Sequence, residues 1–291
     1  MIVAQAYAKI NWALDILAAR ENGYHDMDML MQSISLHDTL TFEEADEVVL
    51  LTDGAPDPYG EKNLIVRAAR LLQQETGCTK GVKMSLTKRI PARAGMGGGS
   101  SDCAAALIVL NDLWNLGIEE KRLFELGFSL GADVAFCLVG GLQRVRGLGE
   151  QLEALHAPAS PELVVIMPDE GLSTGPVFQE YDRAERTVPP IEMDAAQAAL
   201  IKGDYEELNR RAGNVLTAPA MNQSTAIAQA IDDLWAQGAV MARMSGSGSS
   251  VFAVFADAES ADRAQKALAP KYPLCERAWT KPAGVDVETR A

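Results

Sequence analysis

A glycine-rich segment at residues 95–101 has the composition of an anion-binding loop. Its residues are Gly95, Met96, Gly97, Gly98, Gly99, Ser100 and Ser101. Consecutive glycines let backbone N–H groups converge on an anion, and a following helix adds the positive end of its dipole. A flexible linker and a turn required only for packing are the alternatives. Because a periodic apolar segment follows at once, we predict a phosphate site that opens a helix.

Two familiar phosphate-binding patterns do not match this segment. A Walker A loop needs a lysine after its last glycine, and none follows Gly99. The dinucleotide pattern GxGxxG fails because Ser100 occupies its last position. Lys88 and Arg93 precede the loop, and they could add positive charge at the phosphates or be solvated surface residues.

A second set of polar residues falls on one face of a predicted strand. At residues 6–16 the apolar face consists of Ala6, Ala8, Ile10, Trp12, Leu14 and Ile16, and the opposite face carries Tyr7, Lys9, Asn11 and Asp15. This alternation predicts a half-buried strand. Side chains two residues apart point the same way at a spacing of about 7 Å, so Lys9 and Asn11 project side by side.

The remaining patterns mix strands and helices without strict alternation, which predicts an α+β fold. Asn63 is a predicted N-cap, and a buried amphipathic helix begins at Ser100 or Ser101 and ends at Gly117. The irregular, proline-containing segment 154–161 predicts a boundary between a domain at 1–155 and a domain at 156–291. In the second domain the predicted elements are a strand at 163–167, helices near 194–211 and 224–237, a loop at 244–250, a strand at 251–255 and a helix beginning near Ser260.

Composition and charge exclude several classes of protein. A formal net charge of -14 argues against nucleic acid or an anionic membrane as a partner. The longest unbroken apolar run, residues 103–110, is far below the roughly 20 residues that span a bilayer. Four scattered cysteines (Cys78, Cys103, Cys137 and Cys275), no zinc-ligand spacing and no signal peptide together predict a cytoplasmic protein with reduced thiols.

Several segments resemble known kinases. Residues 91–107, PARAGMGGGSSDCAAAL, resemble the phosphate loop of the GHMP kinases, the superfamily of galactose, homoserine, mevalonate and phosphomevalonate kinases. Residues 8–27, with AKIN and GYH, resemble the narrower family of 4-diphosphocytidyl-2-C-methyl-D-erythritol kinases of the non-mevalonate isoprenoid pathway. Further similar segments lie at 63–72, 130–136, 173–178 and 244–255, in the same order.

The resemblance implies a ribosomal-protein-S5-like N-terminal domain and a ferredoxin-like C-terminal domain. It also implies transfer of the γ-phosphate of ATP, as its Mg²⁺ complex, to the 2-hydroxyl of 4-diphosphocytidyl-2-C-methyl-D-erythritol. The partners are then this small molecule and ATP, and the chain is expected to be a monomer or a weak homodimer. No residue is assigned as a metal ligand.

The same resemblance implies residue roles. Asp133 corresponds to the catalytic base and Lys9 to the lysine beside it. Without the resemblance, the position of Asp133 is more typical of a helix N-cap. Pro91 and residues 95–101 hold the phosphates of ATP, and Asn63 contacts adenine while it caps its helix. Asn11 is expected to contact the substrate or hold Lys9.

The cytosine is expected to lie among three residues. His25 reads its edge, while Tyr24 and Phe178 stack as walls; a turn with an incidental aromatic is the alternative for residues 23–25. Residues 244–250, MSGSGSS, resemble a third motif that approaches the site, although a hairpin turn explains their glycines as well.

Two departures and three rival functions remain. Arg93 lies where a small residue is common in the phosphate loop, and residues 213–216 match the family only partly. The rivals are another small-molecule GHMP kinase, a non-catalytic nucleotide-binding module and an S5-like RNA-binding protein. The AKIN and GYH segments argue against the first, the presence of both Lys9 and Asp133 against the second, and the negative charge against the third.

Overall fold

A computed structural model describes residues 1–21, 23–156, 160–168, 171–184 and 189–289. Within these ranges the strands are β1 Ile2–Ala19, β2 His25–Ala45, β3 Val48–Thr52, β4 Ala55–Pro56, β5 Gly81–Thr87, β6 Leu142–Gly147, β7 Gln151–Leu155, β8 Glu162–Met167, β9 Met241–Met244, β10 Val251–Phe255, β11 Leu274–Ala278 and β12 Val285–Thr289. The helices are α1 Leu64–Thr76, α2 Gly98–Leu113, α3 Glu120–Leu130, α4 Ala132–Val139, α5 Thr174–Arg183, α6 Met193–Lys202, α7 Tyr205–Arg211, α8 Thr217–Gln223, α9 Ala226–Ala236 and α10 Ala258–Leu268. This content confirms the α+β prediction. Among the described helices, none is both long and apolar enough to cross a bilayer.

The first sheet has eight strands and is built around the long strand β2. Its main order is β12-β1-β2-β5-β3-β4, and β6 and β7 extend it from β2. The start of β2 pairs with β6 and its end with β5, while β1 runs antiparallel along its other edge. The last strand, β12, returns from the C-terminal part of the chain to pair with β1. The boundary segment 154–161 includes residues 157–159, outside the described residues, and the division after residue 155 stays a prediction.

The second sheet is antiparallel, in the order β11-β8-β10-β9. The predicted strands at 163–167 and 251–255 are confirmed as β8 and β10. The predicted helix near 194–211 is two helices, because Asp204 caps the second through a bond from the Glu207 N–H at 2.9 Å. The helix expected near Ser260 begins at Ala258, since Asp257 caps it and Ser260 completes a capping box.

The prediction that residues 6–16 are half-buried is wrong. The apolar face packs on the second sheet, where Trp12 meets Phe252 edge-on at 5.3 Å between ring centroids. The polar face is also covered, and Lys9, Asn11 and Asp15 are at most 4% exposed. Backbone N–H groups of β1 bind the carbonyl oxygens of Met96 and Gly213, so loops cover the side that the sequence pattern assigned to solvent.

Helix α2 lies at the centre of the first domain's core. It begins at Gly98 rather than at Ser100 or Ser101, and it ends at Leu113, before Gly117. All residues from 101 to 107 are buried, so its first half is enclosed on every side rather than amphipathic. Asn115, at φ 54°, turns the chain out of the helix. The cysteines are unbridged as predicted, although Cys78 is only half-buried.

Candidate active site

Most of the predicted site residues line one cavity of about 1070 Å³. Those on its wall are Lys9, Asn11, Tyr24, His25, Asn63, Pro91, Gly95, Gly97, Gly98, Gly99, Ser100, Asp133 and Phe178. They come from β1, β2, α2, α4 and α5 and from the loops beside them, including the N-cap position of α1. The fold therefore brings together motifs that are up to 169 residues apart, from Lys9 to Phe178.

The glycine loop presents to this cavity backbone N–H groups that the helix α2 does not use. Gly97 is in the left-handed region at φ 69° and serves as the N-cap of α2. The first intrahelical bond runs from the Ser101 N–H to the Gly97 oxygen, at 2.9 Å. The N–H groups of Gly98, Gly99 and Ser100 therefore have no partner within the helix and border the cavity. Such a helix N-terminus is suited to a phosphate group.

Two predicted phosphate-binding residues are not on the cavity wall. Met96 is 1% exposed and Ser101 is fully buried. The Met96 oxygen accepts a bond from the Lys9 N–H at 3.0 Å, and the Ser101 hydroxyl donates to the Tyr7 oxygen at 2.7 Å. Both residues fasten the loop to β1 through these bonds, and their contact with the phosphates of ATP stays a prediction.

Lys9 and Asp133 form the charged centre of the cavity. The Lys9 Nζ lies 3.7 Å from Asp133 Oδ2 and donates to Asn11 Oδ1 at 2.8 Å. The lysine side chain is 5% exposed, whereas that of Asp133 is 41% exposed. Helix α4 is capped at Gly131 without a side-chain bond, so Asp133 is not its N-cap. An accessible carboxylate beside a buried ammonium can accept a proton from a hydroxyl group.

The loop between β9 and β10 contacts the glycine loop. The Ser245 hydroxyl donates to the Gly95 oxygen at 3.0 Å, and the Ser250 N–H donates to the Ala94 oxygen at 3.1 Å. A Cβ atom at Gly95 would lie 2.1 Å from the Ser245 oxygen, which explains the glycine. Residues 244–250 are thus a hairpin loop between β9 and β10, and the same loop approaches the site and forms one wall of the cavity.

The partly matching segment 213–216 supports that hairpin loop. Asn214 Nδ2 donates to the Met244 oxygen at 3.0 Å and to the Gly246 oxygen at 2.7 Å. The Leu14 N–H donates to the Gly213 oxygen at 2.9 Å. Although residues 213–216 match the family pattern only partly, they connect β1 to the β9–β10 loop through these bonds.

His25 lies in an aromatic corner of the cavity. It is 8% exposed, and its ring is tilted by 38° against Phe178 at 5.2 Å between centroids. Tyr181 meets it edge-on at 6.2 Å. His25 Nε2 lies 2.7 Å from Asp182 Oδ1, which fixes the orientation of the imidazole. Tyr24 is 63% exposed, so its ring lies at the mouth rather than inside the corner.

Asn63 is the N-cap of α1, as predicted. Its Oδ1 accepts the Ile65 N–H at 2.9 Å, and its Nδ2 donates to Asp57 Oδ1 at 3.1 Å. The other oxygen of Asp57 accepts the Tyr59 and Gly60 N–H groups at 3.0 and 3.1 Å. Asp57 therefore orders this end of the cavity.

The two basic residues before the loop have different surroundings. The Lys88 ammonium pairs with Asp38 and Asp102, so it is not a solvated surface residue. Arg93 borders the cavity in the left-handed region at φ 56°. Its carbonyl oxygen accepts the Leu172 N–H at 3.1 Å, which links the phosphate loop to the segment before α5.

Several polar residues around the cavity were given no role from the sequence, among them Asp57, Asp182, Thr174 and Ser247, although the last two lie in the similar segments 173–178 and 244–250. Asp182 follows Phe178 by four residues, so helical spacing alone could have placed both on one face of α5. The hydroxyl groups of Thr174 and Ser247 are 3.0 Å apart, a contact between distant segments that no spacing could reveal.

Comparison with known proteins agrees with this geometry. The GHMP kinases N terminal domain family matches residues 63–141, and the GHMP kinases C terminal family matches residues 196–274. The chain is 41% identical to the 4-diphosphocytidyl-2-C-methyl-D-erythritol kinase of Pelotomaculum thermopropionicum, over 90% of this chain and 91% of that protein. It is 40% identical to the enzyme of that name from Moorella thermoacetica, over 94% and 96%.

Solved structures give the same result. A crystal structure of 4-(cytidine 5'-diphospho)-2C-methyl-D-erythritol kinase superimposes with a TM-score of 0.82 at 34% identity, over 96% of this chain and 98% of that one. A homoserine kinase from Cytophaga hutchinsonii, at 20% identity and a TM-score of 0.74 over 99% and 97% of the two chains, shares the fold. The chain therefore belongs to the GHMP kinase family, in the branch whose members are named 4-diphosphocytidyl-2-C-methyl-D-erythritol kinase.

Proposed function

We propose that this protein transfers the γ-phosphate of ATP to the 2-hydroxyl of 4-diphosphocytidyl-2-C-methyl-D-erythritol. The observation that carries the proposal is the position of the Lys9–Asp133 pair in one cavity with the glycine loop and the His25 corner. Relatives at 36–41% identity carry the name of this activity. The proposed product would supply isoprenoid precursor synthesis by the non-mevalonate pathway.

ATP binds at the glycine loop in this proposal. The free N–H groups at the start of α2 hold the phosphates, and the helix dipole adds to the attraction. Adenine lies toward Asn63, at the end of the cavity that Asp57 orders. Pro91 and Gly95 shape the near side of the loop.

The cytidine end of the acceptor lies at the aromatic corner. Phe178 provides a flat apolar wall, and His25, held by Asp182, presents its remaining ring nitrogen or its backbone to the base edge. Tyr24 covers the base from the mouth of the cavity. Asn11 holds the Lys9 ammonium and contributes to the position of the acceptor.

The transfer step follows from these placements. Asp133 accepts the proton of the 2-hydroxyl as its oxygen attacks the γ-phosphorus, and the bond from that phosphorus to the β,γ-bridging oxygen breaks to release ADP. Lys9, whose Nζ lies 3.7 Å from Asp133 Oδ2, offsets the negative charge that develops on the transferred group. The loop N–H groups hold the phosphates in line with the acceptor.

Magnesium is expected only as the ion that accompanies ATP in its Mg²⁺ complex. Among the described residues, no group of three or more histidine, cysteine, aspartate or glutamate side chains could hold a metal ion. No residue is assigned to Mg²⁺ here, and no step depends on it. A cytoplasmic location, a monomer or weak homodimer, and the domain division after residue 155 also stay predictions.

The test is a coupled assay of ADP release with 4-diphosphocytidyl-2-C-methyl-D-erythritol as acceptor. We expect turnover with this acceptor and none with homoserine or a sugar. The opposite pattern from folded protein would identify another GHMP kinase. A nucleotide titration that shows ATP binding without any turnover would instead identify a non-catalytic nucleotide-binding module.

A further inference from the structure

A charged cluster beneath the phosphate loop has no part in the proposed transfer step. It consists of Lys88 after β5, Asp38 on β2 and Asp102 on α2. The Lys88 Nζ donates to Asp102 Oδ2 at 2.9 Å and also to Asp38 Oδ2. Two carboxylates therefore share one ammonium, and the cluster carries one net negative charge when both are ionised.

The two carboxylates are not equally satisfied. Asp38 Oδ1 accepts the N–H groups of Arg89 and Ile90 at 2.5 and 2.8 Å, so both of its oxygens are hydrogen-bonded. Asp102 is 2% exposed, and its Oδ1 is buried without a donor among the described residues. Burial, together with a smaller effect of Asp38 and against the opposing effect of Lys88, raises the pKa of Asp102 to about 7. Asp102 is thus the member of the cluster that can take up a proton near neutral pH.

Asp102 and Lys88 both border the cavity in which the phosphates are proposed to bind. Lys88 Nζ lies 3.3 Å from the position that a Cβ at Gly98 would occupy. Asp102 is one turn of α2 beyond Gly98 and Gly99. A triphosphate at these glycines therefore brings several negative charges close to Asp102, and nearby negative charge disfavours an ionised carboxylate.

Other charged residues on the packed elements are engaged elsewhere. The charge of Arg67 on α1 reaches the neighbouring Cys103 thiol but is not among the main causes of the Asp102 pKa shift, and Lys9 of β1 pairs with Asp133 of α4. On α3, Arg122 pairs with Glu75 and Glu125; on β12, Asp286 pairs with Lys281. The groups that act most strongly on Asp102 are therefore Lys88 and Asp38.

We propose that binding of a nucleoside triphosphate in this cavity is coupled to the uptake of one proton by Asp102. The proposal rests on the proposed function, because it requires phosphate groups at the glycine loop. The proton comes from solvent and binds Oδ1, and neutral Asp102 then leaves the Lys88 ammonium with Asp38 as its single carboxylate partner in the cluster. Lys88 can direct its freed N–H at the phosphates. By linkage, affinity for the nucleotide falls as the pH rises above about 7.

The test is isothermal titration calorimetry with Mg-ATP, without acceptor, in buffers of different ionisation enthalpy. At about pH 8, where Asp102 is largely ionised in the free protein, we expect uptake of up to about one proton per bound nucleotide. At about pH 5.5, where Asp102 already holds its proton, uptake should be near zero. This comparison needs no variant.

Two variants locate the proton. Asp102→Asn should bind Mg-ATP without uptake at either pH. Asp112→Asn, an exposed position on the same helix, makes the same change in charge and should keep the wild-type uptake. Binding without buffer-dependent heat in the wild type, or equal uptake in Asp102→Asn, would overturn the proton coupling alone. Absence of Mg-ATP binding in the wild type would overturn the proposed function as well.

Discussion

Two aspartates that border the cavity differ in exposure, and this difference separates their predicted roles. Asp133 is open to the cavity beside Lys9, so its carboxylate can reach a bound hydroxyl group. Asp102 is enclosed beside Lys88 and can exchange a proton but cannot reach the acceptor. Both residues are aspartates, and their difference in burial is the reason why we assign the role of general base to Asp133 and proton uptake on nucleotide binding to Asp102.

Replacement of Asp133 by asparagine tests its role as base. The amide keeps the size of the side chain but cannot accept the proton, so we expect kcat to fall by about 10²- to 10⁴-fold. The affinity for ATP should change little, because the carboxylate acts on the acceptor. Steady-state kinetics and a nucleotide titration check both parts. An activity near that of the wild type would mean that Asp133 has no part in proton transfer.

Asp182 is expected to affect only the cytidine end of the site. Its carboxylate fixes the His25 ring, so Asp182→Asn should raise the KM for the cytidine substrate by about tenfold, the equivalent of one hydrogen bond. The KM for ATP should stay the same. Glu180→Gln, on the same helix and in contact with Asn222, is the matched control. Equal changes in both KM values would show that Asp182 supports the fold in general.

From the raised pKa of Asp102 we predict that the effect of Asp102→Asn on the Tm depends on pH. Its pKa is about 7 in the folded protein, above its ordinary value of 3.8, so ionisation costs stability as the pH rises through this interval. Asp102→Asn removes that cost. We therefore expect a higher Tm than the wild type at about pH 8 and little gain at about pH 4, with Asp112→Asn unchanged at both. A gain that is equal at both pH values would contradict the shifted pKa.

Most of the predicted site residues lie on the cavity wall, because their motifs are local. The residues 95–101 and the strand face with Lys9 and Asn11 carry their signal in types and spacing. The positions of Met96 and Ser101 away from the cavity wall could not be predicted, because nothing local tells whether a residue of the loop faces the cavity or fastens the loop to β1. The partners of Lys88 lie 50 and 14 residues away and were equally out of reach.

At the scale of elements, irregularities in β1 flank Lys9, the lysine of the proposed catalytic pair. Register shifts against β2 occur between Tyr7 and Lys9 and between Asn11 and Ala13. Near the first shift, the Lys9 N–H binds the oxygen of Met96 in the phosphate loop. Bulges at such positions aim side chains and are over-represented next to active sites. The alternating pattern predicted the strand, but it could not predict the bulges or the loops that bury both faces.

The contact between the phosphate loop and the β9–β10 loop predicts a strong effect at Gly95. A Cβ there would lie 2.1 Å from the Ser245 oxygen, and φ is 72°. Gly95→Ala should therefore cost at least about 2 kcal/mol of unfolding free energy, measured by denaturant titration. Gly99→Ala is the control for stability, since a Cβ at Gly99 meets nothing within 4 Å and alanine favours a helix. Equal stability of the two variants would mean that the loops do not pack closely.

At the scale of the whole molecule, the two sheets are joined at several places. Strand β12 brings the chain back from the second sheet to pair with β1. Arg243 of β9, whose pKa burial lowers to about 10, donates to the Trp12 oxygen at 2.7 Å. Neither sheet can lose its structure without exposing the other, so we expect one cooperative unfolding transition. No local sequence pattern predicted that β12 pairs with β1, because pairing between strands at the two ends of the chain depends on the assembled sheet.

The contact between β12 and Tyr7 of β1 predicts how much this attachment contributes to the stability of the protein. The Tyr7 hydroxyl lies 2.6 Å from Asp286 Oδ2 on β12, and the Lys281 Nζ lies 4.4 Å from the centre of the Tyr7 ring. Tyr7→Phe keeps the ring and removes the hydroxyl, so the unfolding free energy should fall by about 0.5–1.5 kcal/mol. The exposed Tyr59 provides the control, and Tyr59→Phe should be neutral.

Denaturant unfolding followed by both circular dichroism and tryptophan fluorescence checks this prediction. The two signals should coincide in the wild type and in Tyr7→Phe, with the midpoint of the variant lowered. Two separated transitions would show that the sheets unfold independently. In that case β12 would hold only the edge of the first sheet, rather than couple the stability of β1, which carries Lys9, to that of the C-terminal part of the chain.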